Sequence, residues 1–379
     1  MSLKIIKNGK YMERRLEIVP VNEWDLFPQG QPLVIAGPCS AESEIQVMET
    51  ARRIKSLGVN VFRAGIWKPR THPNTFEGIG TPGLKWLQRV KHELGMKICT
   101  EVASERHVFD CLKYGVDMVW LGARTTANPF LVQEIAEALR DVDIPVLVKN
   151  PVSPDLDLWV GALERLNQVG VKKIGVIHRG FSTFDKIKYR NSPEWQIAVE
   201  LRSRYPQLPF FCDPSHMAGS TEYIEEISQR SLDLGLDGLM IETHCDPSCA
   251  LSDARQQLTP EQLGELLGRL VVRNQDSDNV EYKENIDQLR AQIDVIDDNI
   301  LYILASRMKI SRKIGEYKKK NNIAILQTSR WDSVLEKVMA KGAEYGLSEK
   351  FVTTLFNAIH DASVQEQNAI LGSSSQEGK

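Results

Sequence analysis

Eight short apolar runs recur along this chain, and each leads into a polar or Gly-containing segment. They are Leu33-Val-Ile-Ala-Gly37, Val59-Asn-Val-Phe62, Lys97-Ile-Cys-Thr100, Asp117-Met-Val-Trp-Leu121, Ile144-Pro-Val-Leu-Val148, Lys173-Ile-Gly-Val-Ile177, Leu208-Pro-Phe-Phe-Cys212 and Gly238-Leu-Met-Ile241. Between them apolar residues take helical spacing over Glu44 to Leu57, Gly83 to Leu94, Pro129 to Leu139, Asp155 to Val169, Pro193 to Tyr205 and Thr221 to Leu234. A last such helix falls near Thr259 to Val272. Near-continuous apolar strands that alternate with helices predict a parallel sheet covered by helices. Eight units over roughly 250 residues predict an α/β fold of the TIM (β/α)8 barrel type. A doubly wound open sheet competes, but no Gly-rich turn follows the first strand and polar residues follow nearly every strand.

The flanks predict further pieces. Residues 1–32 form an N-terminal extension in which Leu3 to Lys10 and Arg15 to Val19 read as a β-hairpin around an Asn8-Gly9 turn, expected to plug the barrel bottom. The barrel takes 33–272, a polar linker 273–281, and an all-α three-helix domain 282–371. The tail 372–379 has nothing to bury and is expected to be disordered.

With 50 acidic against 47 basic residues, bulk charge gives no reason to expect nucleic acid or membrane partners. No run approaches the ~20 apolar residues of a membrane span, and Met1 to Lys10 lacks the apolar centre of a signal peptide. Six cysteines without a framework spacing predict reduced thiols in a cytoplasmic setting. Cys99 and Cys111 read as packing residues. Cys245 and Cys249, a C-x3-C in a Pro-containing loop, are weak as metal ligands.

In a TIM barrel the residues beyond C-terminal strand ends share one pocket. Cys39, His216, Glu242 and Asp253 all follow strand runs, and a thiolate, an imidazole and two carboxylates suit one divalent ion such as Mn, Fe, Co or Zn better than Mg or Ca. Cys39 as a buried small residue and Asp253 as a helix cap are the plain alternatives. Lys68 and Arg70 follow the second strand, Arg124 the fourth, Lys149 the fifth and Arg179 the sixth. Singly these fit strand-end salt bridges. Together they repel one another unless anions bind among them, and two phosphorylated substrates would balance the sum.

Gly37-Pro38-Cys39-Ser40, Lys68-Pro69-Arg70-Thr71, Gly122-Ala123-Arg124, Asp213-Pro214-Ser215-His216, Glu242-Thr243-His244 and Ala250-Leu-Ser-Asp253, in this order, resemble the short type I DAHP (3-deoxy-D-arabino-heptulosonate 7-phosphate) synthases. The resemblance implies that Cys39, His216, Glu242 and Asp253 bind metal. It implies that Lys68, Arg124, Lys149 and Arg179 hold phosphoenolpyruvate, with Lys68 and Lys149 counted as catalytic. Arg70 and Thr71 would receive erythrose 4-phosphate. Thr125 stands where the family commonly has Asn. The sister octulosonate synthases normally carry Asn where Pro69 stands, which favours the four-carbon aldehyde here.

In the C-terminal region Ile286, Leu289, Ile293, Ile296, Ile300 and Leu304 recur every three or four positions, and the spacing continues to Tyr317, predicting a helix of about ten turns. Thr328 to Tyr345 and Ser348 to Ile370 follow as shorter helices. Arg307 and Lys318 share a face, whereas Arg290 lies more than ~20 Å from Arg307 along the same helix. One small ligand meets all three only if a second antiparallel copy supplies Arg290. From spacing alone, solvated positions on a bundle are the alternative. Ile286-Asp-Gln-Leu-Arg290, Ile293-Asp-Val-Ile-Asp297, Arg307, Lys318, Arg330, Ser363 and Gln367 resemble the all-helical chorismate mutases, which are intertwined dimers. The resemblance implies that Arg290 of a partner, Arg307 and Arg330 hold two carboxylates, that Lys318 and Gln367 donate to the ether oxygen, and that Ser363 supports them. The acidic residues usual three before and one after the third Arg are Gln327 and Trp331 here. That puts binding of the substrate hydroxyl in doubt and predicts weak mutase activity.

The whole therefore reads as a bifunctional shikimate-pathway enzyme acting on phosphoenolpyruvate, erythrose 4-phosphate and chorismate. It is expected to be a homodimer through its helical domain, possibly larger, with feedback by prephenate or chorismate. A synthase with a non-catalytic, ligand-sensing helical domain is the alternative.

Overall fold

The structure is a computed structural model and describes residues 5–7, 10–12, 16–27, 32–68, 75–184, 188–273, 278–325 and 328–372. The chain divides into two compact units, 1–275 and 276–379. In the first, strands β1 (Ile5–Lys7) and β2 (Lys10–Met12) pair antiparallel. The Asn8-Gly9 turn, the Gln327 position and the tail from 373 lie outside the described residues.

Eight parallel strands then close a barrel: β3 (Leu33–Gly37), β4 (Val61–Arg63), β5 (Lys97–Val102), β6 (Met118–Leu121), β7 (Val146–Lys149), β8 (Ile174–His178), β9 (Phe210–Cys212) and β10 (Gly238–Glu242), with β10 pairing back onto β3. The helices outside it are α1 (Glu44–Lys55), α2 (Pro82–Leu94), α3 (Glu105–Lys113), α4 (Ala123–Thr126), α5 (Pro129–Ala138), α6 (Leu156–Gln168), α7 (Trp195–Arg204), α8 (Pro214–Ala218), α9 (Ile224–Asp233) and α10 (Pro260–Arg269). Helix α3 was not expected from the sequence. Its buried positions are only Val108 and Cys111, too few for a periodic signal, although Ser104 caps it by accepting from the His107 amide. Helices α4 and α8 are single turns and leave no periodicity at all.

Alternation along the strands separates two apolar layers. Phe62, Ile98, Val119, Val148, Val176 and Leu239 face outward under the helices. Val61, Cys99, Met118, Leu147, Phe211 and Met240 face inward and fill the lower barrel. The second hairpin strand is Lys10–Met12 and not Arg15 to Val19, and the bottom is closed by the segment that follows it: Val19, Val21, Trp24, Leu26 and Phe27 pack on that inner layer. Leu33 and Ile35 of β3 belong to the same apolar cluster, which these side chains keep from water.

The second unit is helical: α11 (Val280–Lys320), α12 (Thr328–Glu344) and α13 (Glu349–Gly372). Asn279 caps α11 by accepting from the Tyr282 amide. The C-terminal half of α11 packs on α13 through Ser311 and Gly315, where a Cβ on Gly315 would stand 3.2 Å from the Gln367 Cα. The N-terminal half leaves Leu289, Ile293, Ile296 and Ile300 between 48% and 56% exposed.

Candidate active sites

Two residues above each inward apolar position, the barrel wall turns polar. Val61 is followed by Arg63, Cys99 by Glu101, Leu147 by Lys149, Phe211 by Asp213 and Met240 by Glu242, so the same alternation that fills the floor aims ionic groups into its upper end. Lys149, Glu242 and the sequence-expected His216, Cys39 and Asp253 meet here. Arg63, Glu101 and Asp213 were missed by sequence reasoning. Counting two residues on from each inward apolar residue would have found them.

Gly37 shapes the first corner. Its φ is 149°, and a Cβ there would lie 2.0 Å from the Arg63 carbonyl oxygen, so only glycine lets β3 pass β4 closely enough to deliver Cys39. The Cys39 Sγ stands 3.4 Å from Asp253 Oδ2 and 3.0 Å from the Lys68 ammonium, which also donates to the Cys39 carbonyl at 3.0 Å. Ligand atoms of Cys39, Glu242 and Asp253 lie within 4.8 Å of one another. His216 is the fourth member, with Nε2 3.7 Å from Glu242 Oε1 and Nδ1 held 2.8 Å from Asp213 Oδ2. Asp213 also accepts from Lys149 at 2.8 Å and from the His216 amide at 3.0 Å, fixing the imidazole from behind. Asp253 is no helix cap: its φ is 46° and its side chain makes no capping bond.

Charge explains why these acids stay ionised. Burial would raise the Asp213 carboxyl, but His216 and Lys149 hold it well below the usual range. Glu242 is likewise kept low against its burial by His216 and Arg63. Asp253, against partial burial, is held at about 2 by His216, Arg190 and Lys68. Burial and the Glu242 carboxylate push the Cys39 thiol up to about 12, a cost that a bound cation removes. Glu242 Oε1 is buried, 3.2 Å from Arg63 Nη2, and in no hydrogen bond. A crowded thiol, an orphaned carboxylate oxygen and an oriented imidazole fit a divalent metal.

Above these donors lies a cavity of about 420 Å³ whose walls include Lys68, Glu101, Arg124, Lys149, Arg179 and Arg190. Arg124 reaches it from the single turn α4, whose first neighbour Gly122 could not carry a Cβ without meeting Glu101 Oε1 at 2.3 Å. Thr125 is buried in that turn. Burial pushes the Arg179 guanidinium down to about 10, and its Nη1 donates to Asn191 at 2.9 Å. Asn191 in turn donates to the His216 carbonyl at 2.6 Å, and Arg190 donates to Asp253 at 3.1 Å and to Gln256 at 3.0 Å. Gln256 closes the chain on Glu242 at 2.7 Å. The pair Arg190 and Asn191 thus ties the cationic wall to three of the candidate metal donors. Glu101 is fixed by the Trp120 indole at 2.9 Å. Arg70 and Thr71 lie outside the described residues.

In the helical unit a cavity of about 340 Å³ collects Arg307, Lys318, Trp331, His360, Ser363 and Gln367. Arg307 donates to Ser363, Lys318 to the Ile325 carbonyl, and Gln367 to Ser311 at 3.1 Å, leaving the buried Gln367 Oε1 without a partner. Apolar walls from Ile310, Ile314 and Val364 surround them. Arg290 is not among the lining residues; it is exposed, 3.6 Å from Asp287. Arg330 belongs to α12 by its backbone, and its side chain lies outside the described residues.

Among the described residues no helix is long and apolar enough to cross a membrane. A model of the DAHP synthetase I family matches residues 26–276, and one of chorismate mutase type II matches 289–368. A phospho-2-dehydro-3-deoxyheptonate aldolase of Thermotoga maritima is 34% identical over 238 residues, 63% of this chain and 68% of that protein. A 2-dehydro-3-deoxyphosphooctonate aldolase of Desulfotalea psychrophila is 30% identical over 272 residues, 65% of this chain and 91% of that one. The crystal structure of the Thermotoga maritima DAHP synthase aligns with a TM-score of 0.59 at 31% identity, covering 72% of this chain and 74% of that one. Both matched domains are enzymes of the shikimate pathway, and the chain belongs to the DAHP synthetase I family, with a chorismate mutase type II domain behind its barrel.

Proposed function

We propose that the barrel condenses phosphoenolpyruvate with erythrose 4-phosphate in a metal-dependent reaction and that the helical domain converts chorismate to prephenate. The observation that carries the first half is the convergence of Cys39, Glu242, Asp253 and His216 on the floor of a cavity walled by Lys68, Arg124, Lys149 and Arg179. A divalent ion held there supplies Lewis acidity toward the aldehyde oxygen. The four cations hold the phosphate and carboxylate of phosphoenolpyruvate and fix its C3 toward the aldehyde carbon. A C–C bond forms between those two carbons, and the aldehyde oxygen takes up a proton. Water adds at C2 and gives up its protons, and the bond between C2 and the bridging oxygen breaks, so that phosphate leaves with that oxygen and C2 becomes a ketone. Glu101 belongs to the cavity wall and not to the metal donors, which suits it to orient that water. Arg70 and Thr71 would receive the second phosphate.

In the mutase reaction Arg307 would hold the two carboxylates together with Arg330 and a partner's Arg290, as the resemblance implies, while Lys318 and Gln367 donate to the breaking C–O bond and Ser363 supports Arg307. The exposed apolar stripe Leu289, Ile293, Ile296 and Ile300 favours a homodimer in which a second copy covers it and brings Arg290 in. All six cysteines are free, which favours the cytoplasm. Removing metal with a chelator should abolish DAHP formation, Mn or Co should restore it, and chorismate turnover should stay unchanged; full synthase turnover in a rigorously metal-free sample would sink the metal assignment.

A further inference from the structure

Besides the buried Gln367 Oε1, the mutase pocket contains two polar side chains that make no hydrogen bond among the described residues. Trp331 on α12 and His360 on α13 both line the cavity, and their rings stack with centroids 4.0 Å apart and planes 25° apart. His360, Ser363, Val364 and Gln367 fall at i, i+3, i+4 and i+7, so α13 turns all four toward the same cavity. The hydroxyl and the amide nitrogen of that face are already committed. Ser363 accepts from Arg307 and donates to the Ile359 carbonyl at 2.7 Å, and Gln367 donates to Ser311. Neither nitrogen of the His360 ring, nor the Trp331 indole N–H, has a hydrogen-bond partner among the described residues. Stacking on the indole face fixes the plane of the imidazole, so this is an oriented polar group and not a loose one.

The ligand that Arg307 and Lys318 suit is a small dicarboxylate, and chorismate carries a ring hydroxyl besides. We propose that the Trp331–His360 pair is the subsite that recognises this hydroxyl, with His360 as the binding residue and Trp331 as the residue that positions it; the proposal rests on the mutase reading above. An imidazole presents one donor and one acceptor when neutral and can pair with a hydroxyl in either sense. It also adds no negative charge to a pocket that must take up two carboxylates, whereas an acidic side chain at position 331 would. The apolar walls Ile310, Ile314 and Val364 keep the contact out of bulk water, where it counts for more.

The test uses the full-length chain. Steady-state chorismate kinetics are compared for the wild type, His360→Phe and His360→Gln, together with the affinities of chorismate and of an analogue lacking the ring hydroxyl. H360F should lower kcat/KM for chorismate about tenfold, as expected for one lost hydrogen bond to a neutral group, and H360Q should recover most of it. The analogue should bind the wild type and H360F equally, which also shows that the pocket is intact. H360F as active as the wild type overturns the assignment and leaves the mutase reading standing. Absence of chorismate binding and turnover by the wild type removes both. Should H360F misfold, the wild type decides alone: equal affinity for chorismate and the analogue overturns the proposal.

Discussion

At the scale of single residues, the barrel site is a set of buried ionic and polar side chains that hold one another in place. Asn191 illustrates this, because it accepts from Arg179 and donates to the His216 carbonyl, joining the anion wall to a metal donor. Asn191→Ala should weaken metal binding roughly tenfold, the lower end for loss of a supporting contact, read by calorimetric titration of Mn into metal-free protein. His178 shows the opposite kind of dependence. It is fully buried beside Trp159, Phe181 and Trp195, donates from Nε2 to the Pro193 carbonyl, and burial pushes it down to about 4 from 6.5. Above pH 6.5 neither folded nor unfolded chain is protonated at this residue, so it contributes no slope. As pH falls from 6.5 toward about 4 the unfolded chain binds a proton that the folded one refuses, and stability drops. His178→Gln, which keeps a donor, should flatten that loss by up to ~1.4 kcal/mol per pH unit in this window, measured by urea unfolding. Cys39, His216, Glu242 and Asp253 were legible in the sequence because each follows a strand run. Arg63, Asp213 and Asn191 were not. The apolar run that marks the second strand stops at Phe62, one residue short of Arg63, Asp213 was passed over for His216 three residues on, and Asn191 lies in a loop that carries no period.

Among the elements, the eight strands and most of the helices follow from patterns that the chain carries locally, whereas α3, α4 and α8 do not. The first shows only two buried apolar positions and the others are single turns, so tertiary contact rather than periodicity decides them. Helix α11 raises a different issue. Its 41 residues are far longer than the surface that α13 covers, and the stripe through Ile293 and Ile296 stays exposed within its own unit. Placing a charge on that stripe should separate two chains without unfolding either. Ile296→Glu is expected to shift the protein from dimer to monomer in sedimentation equilibrium and to lower mutase kcat/KM at least about tenfold, because a partner's Arg290 would be lost from the carboxylates. A dimer that persists in this variant, with full mutase activity, would count against the shared site.

For the whole molecule, a DAHP synthase barrel is joined in one chain to a chorismate mutase domain, and we propose that the mutase pocket reports its ligand back to the synthase. Prephenate is expected to inhibit DAHP formation in the intact chain, and Arg307→Ala, which removes a carboxylate contact, should relieve that inhibition while leaving the uninhibited synthase rate unchanged. Synthase rates indifferent to prephenate at saturating concentration would rule this out. Fold class and the order of strands and helices were determined by the sequence alone, because alternation and helical spacing are local and survive without knowledge of neighbours. The four proposed metal donors came with them, since a barrel sends every strand end to one rim. Only the tertiary structure decided which inward residues complete the site, that Arg190, Asn191 and Gln256 bind its two halves together, and that His360 faces Trp331 across α12 and α13. Those contacts join positions from 14 to 66 residues apart, and no periodic pattern encodes which side chains a closed barrel or a helix pair will bring to the same point.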